Sequence, residues 1–158
     1  RIFLFKLIDR FADDFIKYAL ENKVKFRHLG RKDRIPRSLA KKLGSIEDKT
    51  KAFEEMNVQI ALDYGGRDEI VRAVNKILKS GKKSADEKDI SDNLDTIGVP
   101  DPDLIIRTSG EKRTSGLMPF QSAYSELYFE KKFFPDFTAR DLRKAIKDFE
   151  RRKRNFGK

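Results

Sequence analysis

The chain has 158 residues, with 36 Lys+Arg against 26 Asp+Glu for a formal net charge of +10, and apolar residues make up 38% of it. That is the size of one domain with a modest core under a densely charged surface. With no cysteine and one histidine, it has no parts for disulfides, thiolate nucleophiles, Cys-ligated or multi-His metal centres, or a His-led relay.

From Ile2 to Leu20 the apolar residues fall mostly three and four apart (Ile2, Leu4, Phe5, Ile8, Phe11, Phe15, Ile16, Ala19, Leu20), which predicts an amphipathic helix with a buried stripe. Val24 to Leu29 alternates like a half-buried strand and is closed by Gly30. His28, within it, is expected to be a packed or solvent-facing strand residue. Pro36 suits the first turn of a helix on which Leu39, Leu43, Ile46 and Phe53 share a face. Val58 to Leu62 predicts a second strand, stopped by Tyr64-Gly65-Gly66, and Tyr64 to Arg67 reads either as a strand-to-helix turn needing positive φ or as a direct ligand contact. Ile70, Val71, Val74, Ile77 and Leu78 then mark another helix.

Ser80 to Asp89 reads as a polar, mobile loop. Leu104-Ile105-Ile106 is wholly apolar, as a strand buried on both faces should be, and Leu127-Tyr128-Phe129 predicts a further short strand. Thr138-Ala139-Arg140-Asp141 opens a last helix with a capping box, its end expected near Gly157. Strands alternating with helices predict an α/β fold with a largely parallel sheet flanked by helices. Ligands of such sheets sit beyond the carboxyl ends of the strands, which draws attention to the loops at 64–67 and 107–111. No apolar run approaches the ~20 residues that cross a bilayer, and no signal-peptide pattern opens the chain, so a soluble cytoplasmic protein is expected.

The segment from Asp103 to Phe129, DLIIRTSGEKRTSGLMPFQSAYSELYF, has the makings of an anion site. Arg107 leaves a buried strand, Arg113 follows six residues later, and Thr108, Ser109, Thr114 and Ser115 supply hydroxyls. Gly110 and Gly116 let backbone N–H groups come close to a ligand. Arginine forks match phosphate oxygens bidentately. The plainer alternative is a charged surface loop in which Arg113 pairs with Glu111, and composition leaves the two open.

The same stretch resembles the signature of the cis-prenyltransferases, the undecaprenyl diphosphate synthase family, in which D-L-x-I-R-T-S-G-E-x-R-x-S leads to Q-x-A-Y-x-E-x-Y-F. Asn57 to Arg67 resembles that family's N-x-x-x-A-x-x-Y-G-G-R segment, and Val24 to Gly30, Lys49-Thr50-Lys51, Phe134 to Phe137 and Arg154 to Gly157 fit as well. The resemblance implies a prenyltransferase that condenses isopentenyl diphosphate with an allylic diphosphate, makes each new double bond cis, and uses Mg²⁺. It implies that Arg107, Arg113 and Ser115 hold the isopentenyl diphosphate head group and that Glu126 is the metal-associated glutamate, a hard oxygen ligand suited to Mg²⁺. It also implies a homodimer, for which Phe129, Phe133, Phe134 and Phe137 offer apolar area.

The sequence departs from the family in several places. The family's Asp-x-x-Gly-Asn-x-Arg-Trp loop, which binds the allylic diphosphate and carries the key catalytic Asp, has no counterpart here. Residues 1–158 are therefore expected to form a single, N-terminally truncated domain lacking a first strand-loop-helix portion, with the catalytic Asp outside it. Phe120 stands where a Trp is common, Arg31 where an Asp is usual, and Asn155 where the terminal Arg-x-Gly has arginine, with Arg154 one position earlier.

Two rival readings stand beside this one. A non-catalytic partner subunit of a heteromeric cis-prenyltransferase would lack the first motif, but it has less reason to keep Arg107, Arg113 and Ser115. A basic module for nucleic acid or an anionic membrane is suggested by the last twenty residues, which hold nine Lys/Arg against three acids. No nucleic-acid motif accompanies that run and no nucleic-acid partner is expected, whereas peripheral membrane contact fits a polyprenyl product that must leave towards lipid.

Overall fold

The computed structural model describes residues 2–152, except for the side chains of residues 2, 3, 4 and 6. Arg154 to Gly157, with the expected end of the last helix near Gly157, lie outside the described residues. Two compact units divide the chain between Ile97 and Gly98.

The first unit runs α1 (Ile2–Glu21), β1 (Val24–Leu29), α2 (Arg37–Thr50), β2 (Met56–Ala61), α3 (Gly66–Lys79) and the short α4 (Glu87–Ser91). Strands β1 and β2 pair in parallel, Val24 opposite Met56 through Leu29 opposite Ala61. Parallel neighbours need a long crossover, and α2 supplies it. The core gathers Ala12, Phe26, Ile35, Leu39, Leu43, Ile46 and Leu62, with Phe5, Ile8, Phe15 and Ile16 packed against it. Phe15 meets Phe26 edge-on, with ring centroids 5.4 Å apart, a favourable aromatic geometry.

The outer edge of β1 is closed by side chains. Leu29 O accepts from Leu62 N on the β2 side, so the N–H groups of residues 26, 28 and 30 point the other way. Phe26 N donates to Thr50 Oγ1 (3.1 Å), His28 N to Glu47 Oε1 (2.9 Å) and Gly30 N to Asp95 Oδ2 (2.9 Å). An open strand edge is a template for unwanted pairing, and here three side-chain oxygens occupy it. His28 itself is packed, 4% exposed, with Nε2 2.8 Å from Leu62 O.

Several expectations need correction. Phe53 lies beyond α2, which stops at Thr50, whose hydroxyl turns back to Ile46 O at 2.8 Å. Phe11, placed by periodicity on the buried stripe of α1, is 60% exposed. The helix expected at Ile70 to Leu78 forms as α3, with Gly66, Glu69, Ala73 and Ile77 buried and Val71, Val74 and Leu78 facing outward. The turn before α3 takes its positive φ at Asp63 (49°), whereas Gly65 is extended at −148°. The 80–89 segment ends in the start of α4, capped by Asp86 and Asp89.

The second unit carries β3 (Leu104–Arg107), β4 (Glu126–Phe129) and α5 (Ala139–Arg151). β3 and β4 are parallel, Leu104 opposite Glu126 and Arg107 opposite Phe129. All four residues of β3 are half-buried, so it is not a strand covered on both faces. Helix α5 begins with the expected box: Asp141 N donates to Thr138 Oγ1, and Thr138 N donates to Asp141 Oδ2. It ends at Arg151 because Arg152 turns to extended backbone (ψ 133°).

Candidate functional site

Arg107 is the last residue of β3. Its carbonyl accepts from Glu130 N (2.8 Å), and beyond it Ser109 N and Gly110 N donate to Lys132 O (2.7 Å) and Glu130 O (2.9 Å). The chain is thus tied to the end of β4 as it leaves the strand. Ser109 and Gly110 are both left-handed (φ 72° and 70°), and the pattern recurs at Ser115 and Gly116 (φ 52° and 77°). A serine in that region is uncommon and costs free energy that surrounding structure must offset. Two such serine–glycine turns fold the 107–118 segment sharply.

Among the described residues the Arg107 guanidinium has no hydrogen bond or ion pair, and its Nε is buried without a partner. A buried nitrogen on a cation is costly to leave unpaired. Arg113 is exposed and paired with Glu111, the pairing anticipated for a plain surface loop. Ser115 is exposed at its left-handed turn.

Glu126 opens β4, its backbone N–H donating to Asp103 O at 2.9 Å. Arg152 Nη1 donates to its Oε2 at 2.7 Å. The strand register sets Glu126 level with Leu104, three residues before Arg107, or on the order of 10 Å along the strand. No hydrogen bond or ion pair among the described residues joins Arg107, Arg113, Ser115 and Glu126 to one another.

Arg152 was not singled out by the sequence, where it is one member of a basic run. The available signal was its i,i+4 spacing from Asp148, to which Nη2 and Nε donate at 2.6 and 3.0 Å. Hydrogen bonding to Glu126, then to Asp148, raises the pKa of Arg152 above its ordinary value. Nearby, Lys132 and then the Thr138 hydroxyl hold the Asp141 carboxyl far below the usual carboxylate range.

Along α5, Arg140, Arg143, Lys144, Lys147 and Arg151 have no ion pair among the described residues and line one groove of about 990 Å³. In the first unit, Tyr64 and Gly65 precede a polar cluster. Tyr64 Oη donates to Glu69 Oε2 (2.5 Å), Asp95 N to Glu69 Oε1 (2.8 Å), and Arg72 forks onto Asp95.

A parallel α/β chain with an arginine-bearing strand end and two serine–glycine turns offers donors of the kind that suit phosphate oxygens. Residues 2–157 match the family described as "Putative undecaprenyl diphosphate synthase". The isoprenyl transferase of Thermotoga maritima is 47% identical over 159 residues, covering 98% of this chain and 68% of that one. That of Aquifex pyrophilus is 42% identical over 155 residues, covering 98% and 67%. A probable undecaprenyl diphosphate synthase of Campylobacter jejuni superimposes with a TM-score of 0.90 at 34% identity, covering 99% of this chain and 74% of that one. Lavandulyl diphosphate synthase of Lavandula x intermedia, solved with dimethylallyl diphosphate, gives a TM-score of 0.92 at 31% identity, covering 99% and 70%. The chain belongs to the undecaprenyl diphosphate synthase family of cis-prenyltransferases.

Proposed function

We propose that this protein condenses isopentenyl diphosphate with an allylic diphosphate to extend a cis-polyprenyl diphosphate. The observation that carries the assignment of the site is the buried, unpartnered Nε of Arg107 at the end of β3. In this reading Arg107 grips the diphosphate of isopentenyl diphosphate with its planar fork, Arg113 exchanges Glu111 for a phosphate oxygen, and the Ser115 hydroxyl donates to another. The lavandulyl diphosphate synthase complex holds an allylic diphosphate, which supports that class as the second substrate. Residues 1–158 work here as one domain, a reading supported by a family match that spans residues 2–157.

Glu126 suits Mg²⁺ as one hard oxygen donor: it is half-buried, one oxygen is fixed by Arg152, and Oε1 makes no hydrogen bond among the described residues. No group of three metal-ligating side chains occurs among the described residues, so phosphate oxygens and water would complete the shell, as Mg²⁺ prefers. Bound there, the ion would neutralise charge on a diphosphate.

A homodimer belongs to the same reading, supported by Phe133 and Phe134, which are 65% and 75% exposed. So does a cytoplasmic location with peripheral membrane contact, supported by five cations of α5 that line one groove and have no ion pair among the described residues. No helix among the described residues is long and apolar enough to cross a membrane.

The test is to incubate the full-length protein with labelled isopentenyl diphosphate, a series of allylic diphosphates and Mg²⁺, then analyse the dephosphorylated products. Cis-polyprenols are expected, and their yield should collapse in Arg107→Ala. Folded protein that extends none of the allylic diphosphates would overturn the reading.

A further inference from the structure

We propose that Arg152 is the positioning residue for Glu126, fixing one carboxylate oxygen so that the other is presented to a divalent cation. The proposal rests on the reading of Glu126 as a metal ligand. Arg152 makes four bonds to three acceptors. Nη1 donates to Glu126 Oε2 (2.7 Å) and to Leu127 O (3.0 Å), while Nε and Nη2 donate to Asp148 Oδ2 (3.0 and 2.6 Å). The guanidinium is therefore anchored to a strand on one side and a helix on the other, and its planar donors leave little freedom for rotation.

The consequence for Glu126 is geometric. Its backbone is held by the β3–β4 ladder and its Oε2 by Arg152, while Oε1 has no partner among the described residues. A free glutamate samples several rotamers and must be ordered when it binds a metal. Here that ordering is already done, and a single hard oxygen is left available, which suits a cation that takes one carboxylate among phosphates and water.

A cation beside a metal ligand ordinarily repels the metal. Asp148 answers that objection, because its carboxylate takes two of the four bonds and offsets the Arg152 charge. The plainer view is that Arg152 only complements the carboxyl end of α5. Its guanidinium, however, bonds no carbonyl of α5. Its carbonyl partner, Leu127 O, and one carboxylate partner belong to β4.

The experiment measures Mn²⁺ binding by calorimetry to the full-length protein with isopentenyl diphosphate present, and isopentenyl diphosphate binding alone without metal. Arg152→Gln should weaken Mn²⁺ about tenfold, the scale of one bond to a charged group. Arg152→Lys should recover part of that, and metal-free isopentenyl diphosphate binding should stay within about twofold. Glu126→Gln should weaken Mn²⁺ too, and the double variant should be no worse than Glu126→Gln, since the two act through one oxygen. If Arg152→Gln does not fold, Asp148→Asn loosens the anchor without touching Glu126 and should shift Mn²⁺ binding the same way by less. Additive losses, or Mn²⁺ binding unchanged in the folded Arg152 or Asp148 variant while Glu126→Gln weakens it, would sink the positioning role and leave Glu126 as a ligand. Mn²⁺ binding unchanged by Glu126→Gln would remove the ligand assignment and this proposal with it.

Discussion

Arg72 holds the Asp95 carboxylate in a two-point fork, Nη1 and Nη2 each 2.7 Å from one of its oxygens. The same carboxylate accepts Gly30 N–H at 2.9 Å, and Asp95 N–H goes to the buried Glu69. One helix residue thus secures the group that closes the end of β1. Arg72→Leu should cost about 2 kcal/mol, since it strands a largely buried carboxylate. For a chain of this length that is a fall in Tm of roughly 5 °C, readable by thermal melting. An unchanged Tm would show the fork to be incidental.

Acid should undo this network in a defined direction. Burial pushes the Asp95 carboxyl up, but the Arg72 fork outweighs it and the net position is below the ordinary value. Asp68 is lowered by its bond to Arg72, and Asp33 is held at about 2 by Arg31. A carboxyl whose folded pKa is depressed stabilises the fold above its unfolded value, about pH 4. That contribution is lost as pH falls through the folded value. Unfolding followed by circular dichroism should therefore begin below about pH 4 and continue towards pH 2. Stability that rose on acidification from pH 5 would contradict the assignment.

Gly30 has φ +117°, and a Cβ there would meet Leu62 O at 2.6 Å and Asp63 O at 2.9 Å. Both carbonyls are already engaged, with His28 Nε2 and Arg31 N. Gly30→Ala should cost about 3 kcal/mol through strain and displaced backbone. Gly65→Ala is the control: its φ is −148° and a Cβ would meet only Asp68 Cβ, at 3.9 Å. That change should stay below about 1 kcal/mol in urea melts. Equal effects would mean that the close approach at Gly30 does not matter.

Much of the fold was legible because local pattern and tertiary role agree. β1 shows this, with buried Val24 and Phe26 alternating with half-buried Lys25 and Arg27, and so does the Thr138–Asp141 box of α5. Elsewhere the two part. On α3 the apolar positions Val71, Val74 and Leu78 lie outward, while Glu69 is buried because Tyr64 Oη and Asp95 N satisfy it. Periodicity cannot register a carboxylate whose partners lie in other segments. Strand β2 begins two residues before the predicted Val58 because Met56 and Asn57 pair with Val24 and Lys25 across the sheet. At the candidate site, Arg107 stood out as an arginine ending an apolar strand. Arg152 did not, because nothing local tells which member of a basic run turns towards a glutamate twenty-six residues earlier.

The cations along α5 give a salt-dependent prediction. Arg140, Arg143, Lys144, Lys147 and Arg151 are spaced to share one helix face and one groove. Vesicles containing anionic lipid should bind the full-length protein at low salt and release it as salt rises, because exposed charges are screened. Replacing Arg143 and Lys147 with Glu should abolish that binding, and neutral vesicles should show none. Binding to duplex DNA with a steep salt slope and none to vesicles would assign the groove to nucleic acid instead.

The central claim is that Arg107 belongs to the isopentenyl diphosphate site and to no other. The direct measurement is the affinity of each substrate, taken separately, for the full-length protein and for its Arg107→Ala variant. Loss of a charge-assisted contact predicts about ten- to a hundredfold weaker isopentenyl diphosphate binding, with allylic diphosphate affinity unchanged. Arg107→Lys should restore charge without the fork and recover only part of the loss. Equal weakening of both substrates, or no weakening of either, would contradict the account.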